Sequence, residues 1–282
     1  MDTINLGLLD NVRGENNSYS RYLKAHRMIG EIEIMAHAAQ QEFIKKIVNN
    51  FPNHFSGKVL DIGSLDINGD ITHHFVSAEY IGVDVGPGRN VNLVARGEDL
   101  ELASNYFDVV ISGECFEHNP AWKGTFSNMV RMVRPGGLVV MTCASTLRTE
   151  HGTTRSDLGS GAPLSVEQGF EYYKNLAPRH LRAVIDVPMF SNFKIFQNWA
   201  ESDLYFVGIK VDKTEEFVSE WSQTLTELKS LVRGFNKPKR IVKLQYGSLE
   251  WRWKLKIVRK AREFLGEVRY QKLRKVIRIL GV

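Results

Sequence analysis

The sequence has few cysteines and no long apolar run. Only Cys115 and Cys143 occur in 282 residues, too few for a disulfide framework, and no cluster of cysteine and histidine has the spacing of a zinc site. No window reaches about 18 consecutive apolar residues, so no transmembrane helix is expected. The N-terminus, "MDTINLGLLDNVRGENN", lacks the basic stretch and apolar core of a secretory signal. These absences predict a protein of the reducing cytoplasm that holds no metal ion.

Charge is distributed unevenly along the chain. Residues 237–282 contain 15 lysines and arginines and 3 acidic residues, a net charge of +12, whereas the other 236 residues have a net charge of −7. Apolar residues recur at helical spacing within this basic tail, so three interpretations stay open. The tail can lie on an anionic membrane surface at the inner face of a membrane, bind a polyanion, or pack its apolar face on the body or a partner. Nucleic acid is the least favoured partner, because no nucleic-acid-reading module is recognisable. The sequence does not indicate an oligomeric state.

Short apolar runs alternate with helical or loop segments in the middle of the chain. The runs are β-branched and bounded by turn residues, as buried strands are. They are "KVLDI" (58–62), "YIGVD" (80–84), "VNLV" (91–94), "FDVVIS" (107–112) and "LVVMTC" (138–143). Helices are expected over 70–76 and 121–133, and this alternation predicts a mainly parallel sheet.

The segments on either side complete the predicted architecture. Residues 19–50 carry apolar side chains at steps of three or four, which predicts a helix ahead of the sheet. Residues 193–211 read as two strands joined by a tight turn at 201–203, and the chain from residue 213 onward has a helical pattern. No internal repeat is present.

The stretch "DIGSLDINGD" ends the first predicted strand in a glycine turn. Ligands of open parallel sheets bind at the carboxyl ends of the strands, where glycine lets the backbone approach a ligand and a helix N-terminus offers N–H groups. Asp84 ends the second strand, where a carboxylate can accept hydrogen bonds from ribose hydroxyls. This arrangement indicates a nucleoside-containing cofactor. The alternative is a glycine turn without a ligand and an Asp that caps a loop.

Four motifs follow one another within residues 55–212: "VLDIGS", "YIGVD", "FDVVISGECFEHNP" and "RMVRPGGLVVMTC". Their order and spacing resemble the class I S-adenosylmethionine-dependent methyltransferases, in the broad branch of small-molecule and glycan methylating enzymes. The resemblance implies an α/β, Rossmann-like, seven-stranded and mostly parallel sheet that ends in an antiparallel hairpin, with S-adenosyl-L-methionine as cofactor. We therefore expect an N-terminal segment with a cover helix (1–54), a methyltransferase core (55–212) and a basic helical C-terminal extension (213–282).

The resemblance also implies which residues bind the cofactor. Asp61, Gly63 and Ser64 match the cofactor loop, and Asp84 matches the residue that binds the ribose. Gly97, Glu98 and Asp99 match the adenine region. Gly113 and Glu114 match the methionine end. The chain departs from the family at two of these places. Ser64–Leu65–Asp66 replaces the surroundings of a second glycine, and Arg96–Gly97 stands where Asp-Ala is common, so a backbone N–H near Gly97 can replace the adenine contact.

Two histidines are candidates for the base that an oxygen acceptor needs. His118 lies in the loop after the fourth strand and His151 in the polar loop after the fifth, both on the ligand edge. The alternative role for His118 is packing or capping beneath the cofactor. The loop 148–165 is long and polar, which is typical of a lid over a polyhydroxylated or anionic acceptor, or of a disordered surface loop. Tyr172 and Tyr173 follow it, and we expect at least one of them to pack in the core.

These observations predict an S-adenosylmethionine-dependent methyltransferase that acts on oxygen. The expected acceptor is a small polar molecule, with a sugar or surface-glycan precursor favoured. Two alternatives stay open: methylation of a lipid-linked or nucleic-acid acceptor, and a non-catalytic scaffold that keeps the cofactor fold.

Overall fold

The computed structural model describes residues 38–66, 71–75, 78–154, 156, 164, 168–169, 171–212 and 218–236. Seven strands in this part of the chain form one sheet, with helices against both faces. In chain order the helices and strands are α1 (Ala38–Asn50), α2 (Pro52–Phe55), β1 (Lys58–Ile62), β2 (Glu79–Asp84), β3 (Leu93–Val94), β4 (Phe107–Gly113), α3 (Trp122–Met132), β5 (Val133–Ala144), α4 (Pro178–Arg182), β6 (Phe190–Asn198), β7 (Asp203–Lys210) and α5 (Val218–Phe235). Single 3₁₀ turns lie at Thr72–His74, Gly97–Asp99 and Val187–Met189.

The strand order is β3-β2-β1-β4-β5-β7-β6. Strands β1 to β5 pair in parallel with one another. Strand β7 runs antiparallel to both β5 and β6. The chain moves outward from β1 to β3 and then returns to place β4 on the other side of β1. Ligands of such sheets bind at this reversal, outside the carboxyl ends of the strands.

Side chains alternate between two cores, one on each face of the sheet. Along β1, Val59 faces the core formed with α1 and α5, whereas Leu60 and Ile62 face the core formed with α3. All three side chains are at most 2% exposed. Near-continuous apolar strands of this kind belong to parallel sheets covered on both sides.

Helix α1 is held by an aromatic contact with the antiparallel end of the sheet. Its apolar face consists of Ala39, Phe43 and Ile47, all buried, and the Phe43 ring stacks on Tyr205 of β7 with 4.5 Å between ring centroids. The part of the predicted helix before residue 38, including Tyr19, Tyr22 and His26, lies outside the described residues.

The predicted fold class is confirmed, and two local predictions differ from the structure. The segment predicted as a helix over 70–76 contains the 3₁₀ turn Thr72–His74 between two buried side chains, Ile71 and Phe75. Seven residues are too few to form a stable helix without strong packing, because nucleation is costly. Strand β5 begins at Val133 rather than 138, because Val133 pairs with Phe107 before the register jumps to Val109 opposite Leu138.

Among the described residues, no helix combines the length and the apolar character needed to cross a bilayer. The basic tail, residues 237–282, lies outside the described residues.

Candidate functional site

The turn after β1 is fastened to the end of β2 by its own backbone. The N–H groups of Gly63 and Ser64 donate to the carbonyl oxygen of Val83, at 2.8 and 3.1 Å, and the N–H of Asp66 donates to the carbonyl of Arg89 at 3.2 Å. The predicted anion-binding amides in this stretch are therefore used within the protein. Residues 67–70, which follow, lie outside the described residues.

Asp84 lies half-buried at the carboxyl end of β2, as predicted. One carboxylate oxygen accepts from the N–H of Leu65 at 3.0 Å and the other from the N–H of Val85 at 2.7 Å. Burial raises the pKa of Asp84, and the two N–H donors act in the opposite direction. Each oxygen keeps a second lone pair, so the oriented carboxylate can accept hydrogen bonds from a pair of ribose hydroxyls. This geometry fits an adenosyl cofactor.

Gly63 lies in the turn after β1, residues 63–66, which is predicted to bind the cofactor and is called the cofactor turn below. This glycine packs against the loop after β4. Its φ is +83°, and a Cβ added there would lie 2.5 Å from the Cβ of Cys115. Glycine is needed at this position for both reasons. Burial raises the pKa of Cys115 well above its usual range, so the thiol stays neutral and acts as a packing group.

The region predicted to contact adenine forms a 3₁₀ turn against the start of α3. The Glu98 carboxylate accepts from Asn119 Nδ2 and Thr125 Oγ1, both at 3.1 Å, and so ties the turn to the loop after β4. Gly97 is buried, and a Cβ there would lie 2.6 Å from the Thr125 side chain, so a larger residue would not fit. Asp99 is exposed. The adenine roles of Gly97, Glu98 and Asp99 stay predictions.

Two other predicted cofactor residues take part in internal contacts. Asp61 is buried on β1 and accepts from the Tyr80 hydroxyl at 3.0 Å. Ser64 is buried, and its hydroxyl donates to the carbonyl of Asn90 at 3.1 Å. Asp61 lies just before the cofactor turn and Ser64 belongs to it, so these contacts help to fix the conformation of the turn. Gly113, at the end of β4, has open space next to it, since a Cβ there would meet only Thr142 Oγ1, at 3.8 Å.

Glu114 anchors a buried charged network that sequence reasoning missed. Its backbone has a φ of +50°, and its carboxylate accepts from Gln40 of α1 and lies 3.5 Å from the Arg148 guanidinium. Arg148 also bonds Asp203 at 3.0 Å. Burial raises the pKa of Glu114, and the charge of Arg148 opposes that effect. No single sequence motif links these four residues, because they come from four separate segments.

The two candidate bases, His118 and His151, lie together. Their ring centroids are 4.9 Å apart, and the Tyr173 ring is 5.5 Å from His118 and 4.9 Å from His151. The adjoining strands β4 and β5 are parallel, so the loops that follow them leave the sheet at the same edge. We call His118, His151 and Tyr173 the histidine cluster. Tyr173 is buried, as expected for one of the two tyrosines, and Tyr172 is half-buried.

Hydrogen bonds fix the orientation of one histidine. His151 Nδ1 lies 3.1 Å from the carbonyl oxygen of Thr149, which also accepts from the Tyr173 hydroxyl at 3.0 Å. A carbonyl only accepts, so Nδ1 carries the proton in this contact. His118 is 5% exposed, and burial, followed by the charge of His151, lowers its pKa well below the usual range. His118 is therefore uncharged near pH 7.

The predicted lid, 148–165, is described in part. Residues 148–154 run along the histidine cluster, where Glu150 accepts from the Thr153 hydroxyl at 2.8 Å. Residue 164 reaches the turn after β2, because Leu164 would contact a Cβ built on Gly86 at 3.0 Å. The remaining positions, apart from residue 156, lie outside the described residues.

Comparisons with known proteins find a family match in the middle of the chain. Residues 60–141 match the family model described as a methyltransferase domain. No curated protein matches the chain. Among solved structures, the chain is similar to the CurJ carbon methyltransferase, with 16% identity, 69% of this chain and 59% of that chain covered, and a TM-score of 0.46.

Two further solved structures are similar to a comparable extent. The 1,6-didemethyltoxoflavin-N1-methyltransferase of Burkholderia thailandensis is 14% identical, with 68% of this chain and 85% of that chain covered and a TM-score of 0.44. The N-methyltransferase NodS of Bradyrhizobium japonicum WM9 is 13% identical, with 68% and 98% covered and a TM-score of 0.43.

Proposed function

We propose that this chain, which carries a class I S-adenosylmethionine-dependent methyltransferase domain, methylates a hydroxyl oxygen of a small polar acceptor, such as a sugar or a surface-glycan precursor. The observation that supports an oxygen acceptor is the histidine cluster at the carboxyl edge of the sheet. His118 lies three residues after Cys115, which packs against the cofactor turn at Gly63. The cluster is thus held next to the place where the cofactor binds.

The cofactor is held by residues whose positions are already fixed. S-adenosylmethionine, when bound, supplies a methyl group activated by its sulfonium sulfur. Asp84 would accept from the ribose hydroxyls, and the turn at Gly63 and Ser64 would shape the pocket beside it. Holding an acceptor in line with an activated methyl group is worth up to about 7–11 kcal/mol in the best intramolecular comparisons.

An oxygen acceptor must lose its proton as it is methylated. The imidazoles of His118 and His151 would take it, because imidazole is a common general base and the two rings lie together in loops at the carboxyl edge of the sheet. A general base of this kind contributes about 10²–10⁴-fold to a rate. An amine or carbon acceptor would make less use of such a pair.

The loop 148–154 and Tyr172 support a polar, ring-shaped acceptor. Tyr172 is half-buried at the end of the loop, and an aromatic ring of this exposure can stack on the apolar face of a sugar. The peptide groups and hydroxyls of residues 148–154 provide donors and acceptors for sugar hydroxyls.

Product analysis tests the proposal. The full chain is incubated with S-adenosylmethionine and separate panels of hydroxyl acceptors (free sugars, nucleotide-activated sugars and lipid-linked saccharides) and amine acceptors, and products are identified by mass spectrometry. We expect an O-methyl ether and S-adenosylhomocysteine in equal amounts, lost in His118→Ala and retained in the exposed control His73→Gln. Methylation confined to nitrogen or carbon would contradict the proposal.

A peripheral membrane contact through residues 237–282 is a second proposal, supported by the net charge of +12 in that tail. Such a contact would bring the enzyme to a lipid-linked acceptor. Flotation of the full chain with anionic and neutral vesicles tests it. We expect flotation with anionic vesicles only, reduced when Lys254, Arg259, Lys260 and Arg262 are replaced by glutamine. A chain that stays in solution with both kinds of vesicle contradicts the proposal.

A further inference from the structure

A carboxylate and two imidazoles converge beside the cofactor turn. One ligand atom from each of Glu117, His118 and His151 lies within 4.8 Å of the other two. Glu117 and His118 are adjacent in the loop after β4, and His151 comes from the loop after β5. The sequence offered no cysteine and histidine spacing for this set, because the fold alone brings the third residue to the other two.

Within the part of the chain that the structure describes, three buried polar atoms of this cluster have no hydrogen-bond partner. Glu117 is fully buried; its Oε1 accepts from the N–H of Ala144 at 2.9 Å, while its Oε2 has no hydrogen-bond partner. His118 is 95% buried, and neither of its ring nitrogens makes a hydrogen bond of normal geometry. Buried polar groups in native proteins are nearly always paired, so three such atoms in one place indicate a ligand.

His151 has the outer contact that metal-binding histidines show. Its Nδ1–H donates to the carbonyl of Thr149. Metal-ligating histidines usually donate their second ring N–H to a carbonyl or carboxylate in this way. The Tyr173 hydroxyl bonds the same carbonyl and so fixes the loop that carries His151.

The charge around the cluster favours a cation. Three carboxyl groups, those of Glu114, Glu117 and Asp203, are buried. Arg148 pairs with two of them, Glu114 and Asp203. The Glu117 carboxylate, in contrast, lies within 4.8 Å of the histidine ligand atoms.

We propose that Glu117, His118 and His151 bind one divalent transition-metal ion. Imidazole and carboxylate ligands suit zinc, manganese, iron or cobalt better than magnesium or calcium, which prefer oxygen ligands alone. Three protein ligands leave coordination positions for an acceptor oxygen. With the ion bound, the histidines would hold the metal instead of taking the proton themselves. The cation would lower the pKa of a coordinated hydroxyl, which would then lose its proton to solvent. This part of the inference rests on the proposed function.

Metal binding by the full chain tests the site without relying on activity. The purified protein is stripped with a chelator and titrated with Zn²⁺ by calorimetry and with Co²⁺ by visible absorption. We expect one ion per chain, with the cobalt spectrum of mixed nitrogen and oxygen ligands. His151→Gln and Glu117→Gln should weaken binding by more than the roughly 10–100-fold that changes in supporting residues cause. Glutamine at 117 keeps an oxygen for the N–H of Ala144.

Two controls make the titration decisive. His73→Gln removes an exposed histidine outside the cluster and should bind the ion like the wild type. Thermal unfolding of each stripped variant shows whether it folds, and His151→Gln, in a half-buried loop, carries the test if Glu117→Gln does not fold. Wild-type protein that binds no ion, or an affinity that His151→Gln leaves unchanged, would overturn the site.

The two proposals can fail separately. Equal O-methylation with and without the chelator, in a protein that binds the ion, would remove the ion from the reaction and leave the proposed function intact. An ion bound by the three residues, in a protein that methylates only nitrogen or carbon, would leave the metal site intact and refute the oxygen acceptor.

Discussion

The ring of His118 lies 4.9 Å from the ring of His151, although the two histidines belong to loops that follow different strands. Their separation is set by the pairing of β4 with β5 and by the Tyr173 hydroxyl, which bonds the loop of His151. The position of each ring therefore depends on the same edge of the sheet. We expect both histidines to contribute to the same chemical step, the transfer of the methyl group.

Replacing either histidine should slow methyl transfer while leaving cofactor binding unchanged. His118→Ala and His151→Ala are each expected to lower kcat by about 10²–10⁴-fold, the usual contribution of a group that assists proton removal. Calorimetry with S-adenosylmethionine should give the wild-type Kd for both variants. A variant that loses cofactor affinity instead would place its histidine in the cofactor pocket.

Removing the Asp84 carboxylate should weaken the cofactor. Hydrogen bonds to a charged group are worth about 1.5–3 kcal/mol, so Asp84→Asn is expected to raise the Kd for S-adenosylmethionine roughly 10- to 100-fold. Asp186→Asn, an exposed position in the turn before β6, is the matched control and should leave the Kd unchanged. Equal affinity in both variants would remove Asp84 from the cofactor site.

Gly63→Ala should cost more stability than the same change at Gly169. Both glycines have a φ near +80°, but a Cβ at Gly169 has no described residue within 4 Å, whereas a Cβ at Gly63 meets Cys115. Residues other than glycine in this conformation cost about 1–3 kcal/mol, and the clash adds to that at Gly63. Denaturant unfolding of the two variants measures the difference, and equal losses would show that the contact with Cys115 relaxes freely.

Arg148→Met should destabilise the protein strongly. The change leaves the Glu114 and Asp203 carboxylates buried without their cation, a situation that typically costs about 3–5 kcal/mol. The control is Arg134→Met, which breaks a partly exposed pair with Asp108 at 2.8 Å and should cost about 0–1 kcal/mol. Urea denaturation of both variants provides the comparison. A loss at Arg148 no larger than that at Arg134 would mean that solvent reaches the network.

His54 should make stability depend on pH. Burial is the main effect that lowers its pKa, since the ring is 5% exposed and bonds the Gly136 carbonyl at 3.0 Å. The unfolded chain therefore binds the proton more readily, so this contribution is present above about pH 6.5 and is lost as the pH falls through that value. His54→Gln should show a smaller loss of unfolding free energy than the wild type between about pH 7.5 and about pH 5.5. The same loss in both proteins would contradict this role.

Strands and enzyme class could be predicted from the sequence, because apolar runs and loop motifs are local signals. The run 58–62 coincides with β1, and the turn residues around Pro135 sit at the register jump in β5. The match over residues 60–141 confirms the predicted methyltransferase domain, and with it the enzyme class and the cofactor. The oxygen acceptor, the individual site residues and the limits of the three parts of the chain stay predictions.

What the sequence could not supply is contact between distant segments. His118 and His151 were each selected for their place after a strand, but nothing local indicates that their rings meet. Glu117 was missed because a carboxylate next to a candidate base in a loop has no periodic signal. Gln40 and Asp203 were missed because they reach Glu114 and Arg148 only when α1 and β7 pack around the sheet.

Helix α1 places a polar and an apolar set of side chains at their separate contacts with a single helical register. Gln40 must face Glu114, just after β4, while Phe43 and Ile47 must face the core on one side of the sheet. An α-helix turns by about 100° per residue. Gaining or losing a single residue between Gln40 and Phe43 would therefore swing the amide away from Glu114 or pull the aromatic ring out of the interior. The number of residues between Gln40 and Phe43 is therefore constrained by the fold, although α1 carries neither of the histidines.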